Sequence, residues 1–113
     1  MLISKSDTEK ISNSETCIVW EYRFPSKHVS FATAKINGRY PNNGTVANTE
    51  CEEVYYVING SGIIHSEFGD FEIGTGDVYH FSMGEKFYVE GNELDLVLVN
   101  APSWKPEQHK ELN

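Results

Sequence analysis

The chain of 113 residues is long enough for one domain with a modest core and too short for two. Its 17 acidic against 9 basic residues leave a net charge of −8, a repulsive field with no basic cluster to offset it, which argues against DNA, RNA and anionic membranes as partners and leaves small molecules and other proteins. No run of about 18 apolar residues is present to cross a membrane as a helix.

The opening stretch, MLISKSDTEKISNSE, lacks the basic, apolar and small-residue segments of a secretory signal, so a cytoplasmic location is expected. There Cys17 and Cys51, too few and too far apart for a disulfide framework or a zinc ribbon, would both be reduced. Residues 1–15 are polar and aperiodic and read as a flexible N-terminal arm. Residues 16–113 read as a single barrel domain with a short C-terminal tail. Short β-prone runs follow one another at 16–24, 28–36, 52–58, 62–68, 70–73, 77–82, 86–90 and 94–101. Gly-, Pro- and Asn-rich separators such as NGS, GTG and GNE lie between them, and Asn59-Gly60-Ser61-Gly62 reads as a hairpin turn. Leu94, Leu96 and Leu98 alternate with Glu93, Asp95 and Val97, the signature of a half-buried strand. Helical periodicity does not persist anywhere, and Pro102 and Pro106 interrupt the tail. Many short strands in a chain of this length predict an all-β sandwich or barrel.

The segments EEVYYVINGSG (52–62) and GTGDVYHFSMGE (74–85) resemble the two motifs of the cupins, G-x5-H-x-H-x(3,4)-E-x6-G and G-x5-P-x-G-x2-H-x3-N. Glu53 followed after six residues by Gly60 matches the end of the first motif. Gly76, Ser82 and Gly84 match the start of the second, with Ser82 in place of proline. The resemblance spans residues 28–101 and implies a cupin-type jelly-roll barrel, a double-stranded β-helix. A branch of single-domain cupins bearing GRYP before the first motif and PxWxPEQ after the last strand is also similar, here at Gly38–Pro41 and Pro102–Gln108.

The same alignment finds the metal ligands of the family replaced. The two first-motif histidines fall on Ala47 and Thr49, or with the longer gap on Val46 and Asn48. The second-motif histidine falls on Phe87, and only Glu53 survives. Affinity for a transition metal rests on several ligands acting together, and one carboxylate does not supply it. No cofactor is therefore expected.

Cys51, Glu53 and Tyr55 share one face if the strand begins by residue 51, and the resemblance, through the direction of Glu53, makes that face the barrel interior. Glu53 is then the candidate acid–base residue, with Tyr55 or His80 as its partner, while Asn48, Cys51, Phe87 and Tyr40 would line a ligand cavity. A carboxylate among aromatic rings either finds hydrogen-bond donors or rises in pKa, and both fit proton transfer as well as a wet, inert interior. Of the other histidines, His28 and His109 read as solvated and His65 as a rim residue. The leading reading is a metal-free cupin that binds a small polar metabolite, of carbohydrate or carboxylate type, as a homodimer. Two alternatives stand beside it: a metal-dependent isomerase, epimerase or dioxygenase built on Cys51, Glu53 and His80, and a non-catalytic sensor or assembly module.

Overall fold

Alternation of inward apolar and outward polar side chains produces pleated strands with one buried face, and nine strands run through the described residues. They are β1 (Glu9–Ser14), β2 (Cys17–Tyr22), β3 (Ser30–Tyr40), β4 (Thr45–Asn48), β5 (Glu52–Ser66), β6 (Gly69–Gly74), β7 (Val78–Phe81), β8 (Phe87–Ala101) and β9 (His109–Leu112). Short 3-10 turns at Lys5–Asp7 and Pro106–Gln108 complete it. The structure is a computed structural model and describes residues 1–112; Asn113, the last residue of the expected barrel domain, lies outside the described residues.

All pairings are antiparallel, and the sheet curls into the expected cupin-type β-barrel. Strands β5 and β8, each 15 residues long, pair along their length and form its spine. On its other edge β5 holds β7 against its first half and β6 against its second. Strand β8 continues through β3 and β2 to β1, and reaches β9 through β4.

Three features depart from the sequence reading. Residues 9–14 form β1, paired with β2 from Glu9↔Glu21 onward, where an unpaired arm was expected; the edge of β2 offers unpaired backbone groups that a polar strand can cover as well as an apolar one. Strands β4 and β9 were not foreseen either. The third departure is Asn59-Gly60-Ser61-Gly62, which is no hairpin. Strand β5 runs straight through it, with two bulges opposite a matching irregular stretch of β8. Gly60 has φ +83, and a side chain there would run into the carbonyl of Glu93, itself at φ 48. The glycine permits a bend at close backbone approach and not a chain reversal.

Inside, Ile36, Val57, Ile64, Val89, Leu94 and Leu96 pack with Phe81 and Phe87 into one cluster. The rings of Phe81 and Phe87 are 4.1 Å apart, and Tyr55 meets Phe81 edge-on at 4.7 Å. Buried Glu85 ties the second motif to the barrel: it accepts from the Ser82 N–H at 2.9 Å and from the hydroxyls of Tyr79 and Ser66 at 2.7 Å each. Where the inward residues shrink to Cys17, Ala32 and Ala34 the interior is not filled, and a cavity of about 590 Å³ remains. No helix among the described residues is long and apolar enough to cross a membrane.

Candidate active site

The inner end of the cavity is built on β5. Strand parity turns Glu53 and Tyr55 inward, Cys51 lies just before the strand, and all three are buried. Glu53, 5% exposed, lies opposite Asn100 of β8, and Tyr55, 3% exposed, opposite Leu98. Both line the cavity, as do Tyr40 and Phe87.

Burial pushes the Glu53 carboxyl up to about 7, and hydrogen bonds from the Asn100 and Asn48 amides pull against that rise. Burial likewise holds the Tyr55 phenol well above its usual range, reinforced by the nearby Glu53. Among the described residues the Tyr55 hydroxyl has no hydrogen-bond partner, yet it is not sealed from the cavity. A buried polar group left without a protein partner calls for one from solvent or ligand.

Asn48, at the end of β4, stands behind Glu53 and does not line the cavity. Its amide nitrogen donates to Glu53 Oε1 at 3.3 Å. Its oxygen receives three donors from the C-terminal segment: Trp104 Nε1 at 3.2 Å, Gln108 Nε2 at 3.0 Å and His109 Nδ1 at 2.8 Å. These donors fix which way the amide faces, since an oxygen only accepts. They also fix the tautomer of His109. With its proton on Nδ1, the ring takes the Tyr40 hydroxyl proton on Nε2 at 3.1 Å, and burial holds its pKa below the usual value.

His109 is thus brought into the site, not solvated as the sequence suggested. Its neighbour Gln108 is buried too, and Trp104 and Pro106 close one side of the cavity. The two segments noted in the sequence, Gly38–Pro41 and Pro102–Gln108, converge here through Tyr40 and the tail. Reading the tail as part of the site, and not merely as a tail, would have pointed to His109.

His80 is not in the site. It pairs with Val54, whose side chain faces out, and its ring bonds Glu52 Oε1 at 2.7 Å on the barrel's exterior. Residues one position from Glu53 and Phe81 necessarily face away from them. Cys51 is inside but turned aside: its thiol donates to Gln108 Oε1 at 3.3 Å and accepts from Asn100 at 3.4 Å. It does not line the cavity, and burial raises its pKa to about 11.

This donor set does not fit the family's metal. The Asn48 amide donates to Glu53, Phe87 lines the cavity at the position that the resemblance assigns to the second-motif histidine, and both nitrogens of His109 are engaged. Among the described residues no three His, Cys, Asp or Glu side chains come together as ligands. The replacement set of Cys51, Glu53 and His80 is not assembled, because His80 lies on the opposite face of the sheet.

No protein-family model matches the sequence, and no curated protein does either. Solved structures do match. Streptomyces PAC13, described as a nucleoside dehydratase and solved with uridine, superposes with a TM-score of 0.90 over 100% of this chain and 90% of its own, at 14% identity. A predicted oxalate decarboxylase from Thermotoga maritima gives 0.66 at 26% identity, over 90% of this chain and 99% of that one. The ectoine synthase of P. lautus gives 0.71 at 20% identity, over 100% and 91%. The shared feature is the fold: the chain has the barrel of these cupin-type structures, with Ala47, Thr49 and Phe87 at the positions that the resemblance assigns to metal-binding histidines.

Proposed function

We propose that the protein binds a small, ring-bearing polyhydroxylated metabolite of sugar or nucleoside type in its cavity, and that Glu53 and Tyr55 carry out proton transfer on it without the usual cupin metal. One observation carries this reading: a buried carboxyl poised at about 7 stands two residues from a phenol whose hydroxyl, among the described residues, makes no hydrogen bond, both facing one cavity. The volume suits a small-molecule ligand. Aromatic walls from Tyr22, Phe24, Phe31 and Trp104 offer faces for a ring. The nucleoside dehydratase neighbour supports the ligand class only by analogy of fold.

The chemistry such a pair supports is elimination of water. As carboxylate, Glu53 takes the proton from the carbon beside a carbonyl, and that electron pair forms the new double bond as the hydroxyl one carbon further departs. Glu53 returns the same proton to the departing hydroxyl, which leaves as water. Tyr55, neutral throughout, donates a hydrogen bond to the carbonyl oxygen on which charge develops. Asn48, oriented by the tail, steadies the carboxylate.

The test is calorimetric titration with a panel of neutral nucleosides and free sugars, followed, for the free sugars, whose open-chain forms carry the carbonyl that the step needs, by mass analysis for loss of one water. Binding by the wild type is expected, with turnover that rises with pH through about 7 as Glu53 ionises. Glu53→Gln should abolish both the turnover and that pH dependence. A panel without a binder, or a Glu53→Gln protein with unaltered turnover, removes the reading. We also propose a homodimer and a cytoplasmic location, the latter supported by two unpaired buried cysteines.

A further inference from the structure

Only two of the cavity-lining residues are potentially cationic, Arg23 and His109. His109 donates one ring proton to Asn48 and accepts from Tyr40 on its other nitrogen, an arrangement that the neutral ring satisfies in full. Arg23, more than half exposed at the cavity mouth, is already held through Nη2 by two carboxylates. Its Nη2 contacts Glu9 Oε2 at 2.5 Å and Glu21 Oε1 at 2.8 Å. Those two carboxylates belong to residues paired directly across β1 and β2, a juxtaposition of like charges that costs stability unless a cation stands between them. Withdrawing Arg23 toward a ligand would leave that pair bare. Lys27 and Lys105 occupy neighbouring rim segments, but neither lines the cavity. The remaining charged residues of the lining are Glu21 and Glu53, and the chain as a whole carries −8.

We propose that the cavity selects the uncharged form of its ligand, a free sugar or nucleoside, against the corresponding phosphate ester or carboxylate, and that the Glu9–Arg23–Glu21 clamp enforces the choice by keeping the only guanidinium at the cavity occupied. This rests on the ligand class proposed above and narrows it. A phosphate carries close to two negative charges near neutral pH. Placed in this cavity it would lose water, face Glu53 and meet no free cation, which is the costly way to bury charge. Neutral hydroxyls, in contrast, are met by the Tyr55 phenol, the Glu53 carboxyl and Ser26 at the rim. A carboxylate metabolite, open on the sequence alone, is disfavoured on the same ground.

Two matched pairs test this by calorimetry: uridine against uridine 5′-monophosphate, and ribose against ribose 5-phosphate. The neutral member of at least one pair should bind roughly ten-fold or more tightly than its ester. In the double variant Glu9→Gln/Glu21→Gln, which frees Arg23 and removes two negative charges, the gap should narrow through tighter binding of the ester. Equal or tighter binding of the esters by the wild type overturns this inference alone and leaves the proposed function standing. A gap unmoved in the double variant overturns the role of Arg23. Binding of no member of either pair at millimolar concentration sinks the ligand class and this inference together.

Discussion

Glu53 sets the pH behaviour of the fold as well as that of the site, because its carboxyl rises from 4.5 to about 7 on burial. The sign follows from where the proton is held more tightly. Between 4.5 and 7 the folded chain keeps a proton that the unfolded chain releases, so stability is highest below that window and falls as pH rises through it. A shift of this size corresponds to about 3 kcal/mol. Glu53→Gln removes the ionisation, so urea unfolding of the variant should show that much less loss than the wild type between pH 4.5 and 7.5. Matching pH profiles for the two proteins would mean the carboxylate is solvated and the buried site misread. Tyr55→Phe separates function from folding in a different way. Its hydroxyl has no protein partner to lose, so the stability should hardly change, while ligand affinity should fall by about 1 kcal/mol, the worth of one hydrogen bond. A variant that unfolds and still binds normally would contradict that assignment. Parity along β5, with the inward direction of Glu53 taken from the cupin resemblance, places Glu53 and Tyr55 together, while Cys51, expected within the strand, lies just before it. The same rule, applied to His80, should have turned it outward, since it pairs with Val54 and not with Glu53. His109 was hidden for another reason: its partner Tyr40 lies 69 residues away, and a polar tail carries no local pattern that announces such a contact.

At the scale of elements, two devices decide the shape of the site, the bend of the β5–β8 spine and the returning tail. Asn59-Gly60 announces a positive φ in the sequence, and the structure has it. Whether the chain then reverses or only bends depends on the partner strand lying across it, which is non-local information. Strands β4 and β9 illustrate the same limit, because each is four residues long and exists chiefly through pairing with the other. The bend predicts an order of substitution costs. Gly76→Ala, at φ +91 with nothing within 4 Å of the new methyl, should cost about 1 kcal/mol from the left-handed backbone alone. Gly60→Ala adds a collision with the Glu93 backbone and should cost clearly more, seen as a lower urea midpoint. The reverse order would mean that β5 and β8 do not approach as closely as described. The tail makes its own prediction. Gln108 bonds Asn48, the Cys51 thiol and the Glu50 N–H, so Gln108→Ala in a Cys17→Ala background should lose about 1–3 kcal/mol and speed alkylation of Cys51. Unchanged alkylation would show that the thiol is shielded by the barrel wall alone.

For the whole molecule, the sheet has two faces with different chemistry, and the outer one is unevenly polar. Across β7, β5 and β8 the outward row Val78, Tyr56 and Val97 lies beside a second row of Val54 and Val99. Tyr56, Ile58 and Val78 are exposed there, although the chain has charge to spare elsewhere. An exposed apolar patch of this kind is the sort of surface that association covers, and a twofold pair of identical sheets is a self-complementary way to cover it. Two copies bring together twice the charge of −8, so their association should strengthen with added salt as the repulsion is screened. Light scattering on the eluting protein should then give twice 12.8 kDa at micromolar concentration and moderate ionic strength. Val78→Glu should shift it to the monomer while leaving ligand binding intact, because this side chain stands outside the barrel and the cavity lies inside. A wild-type monomer at all salt concentrations would refute the pairing. A Val78→Glu protein that turned monomeric and lost its ligand would show instead that dimer and cavity are coupled through β5, whose outward face carries Tyr56 and whose inward face carries Glu53 and Tyr55.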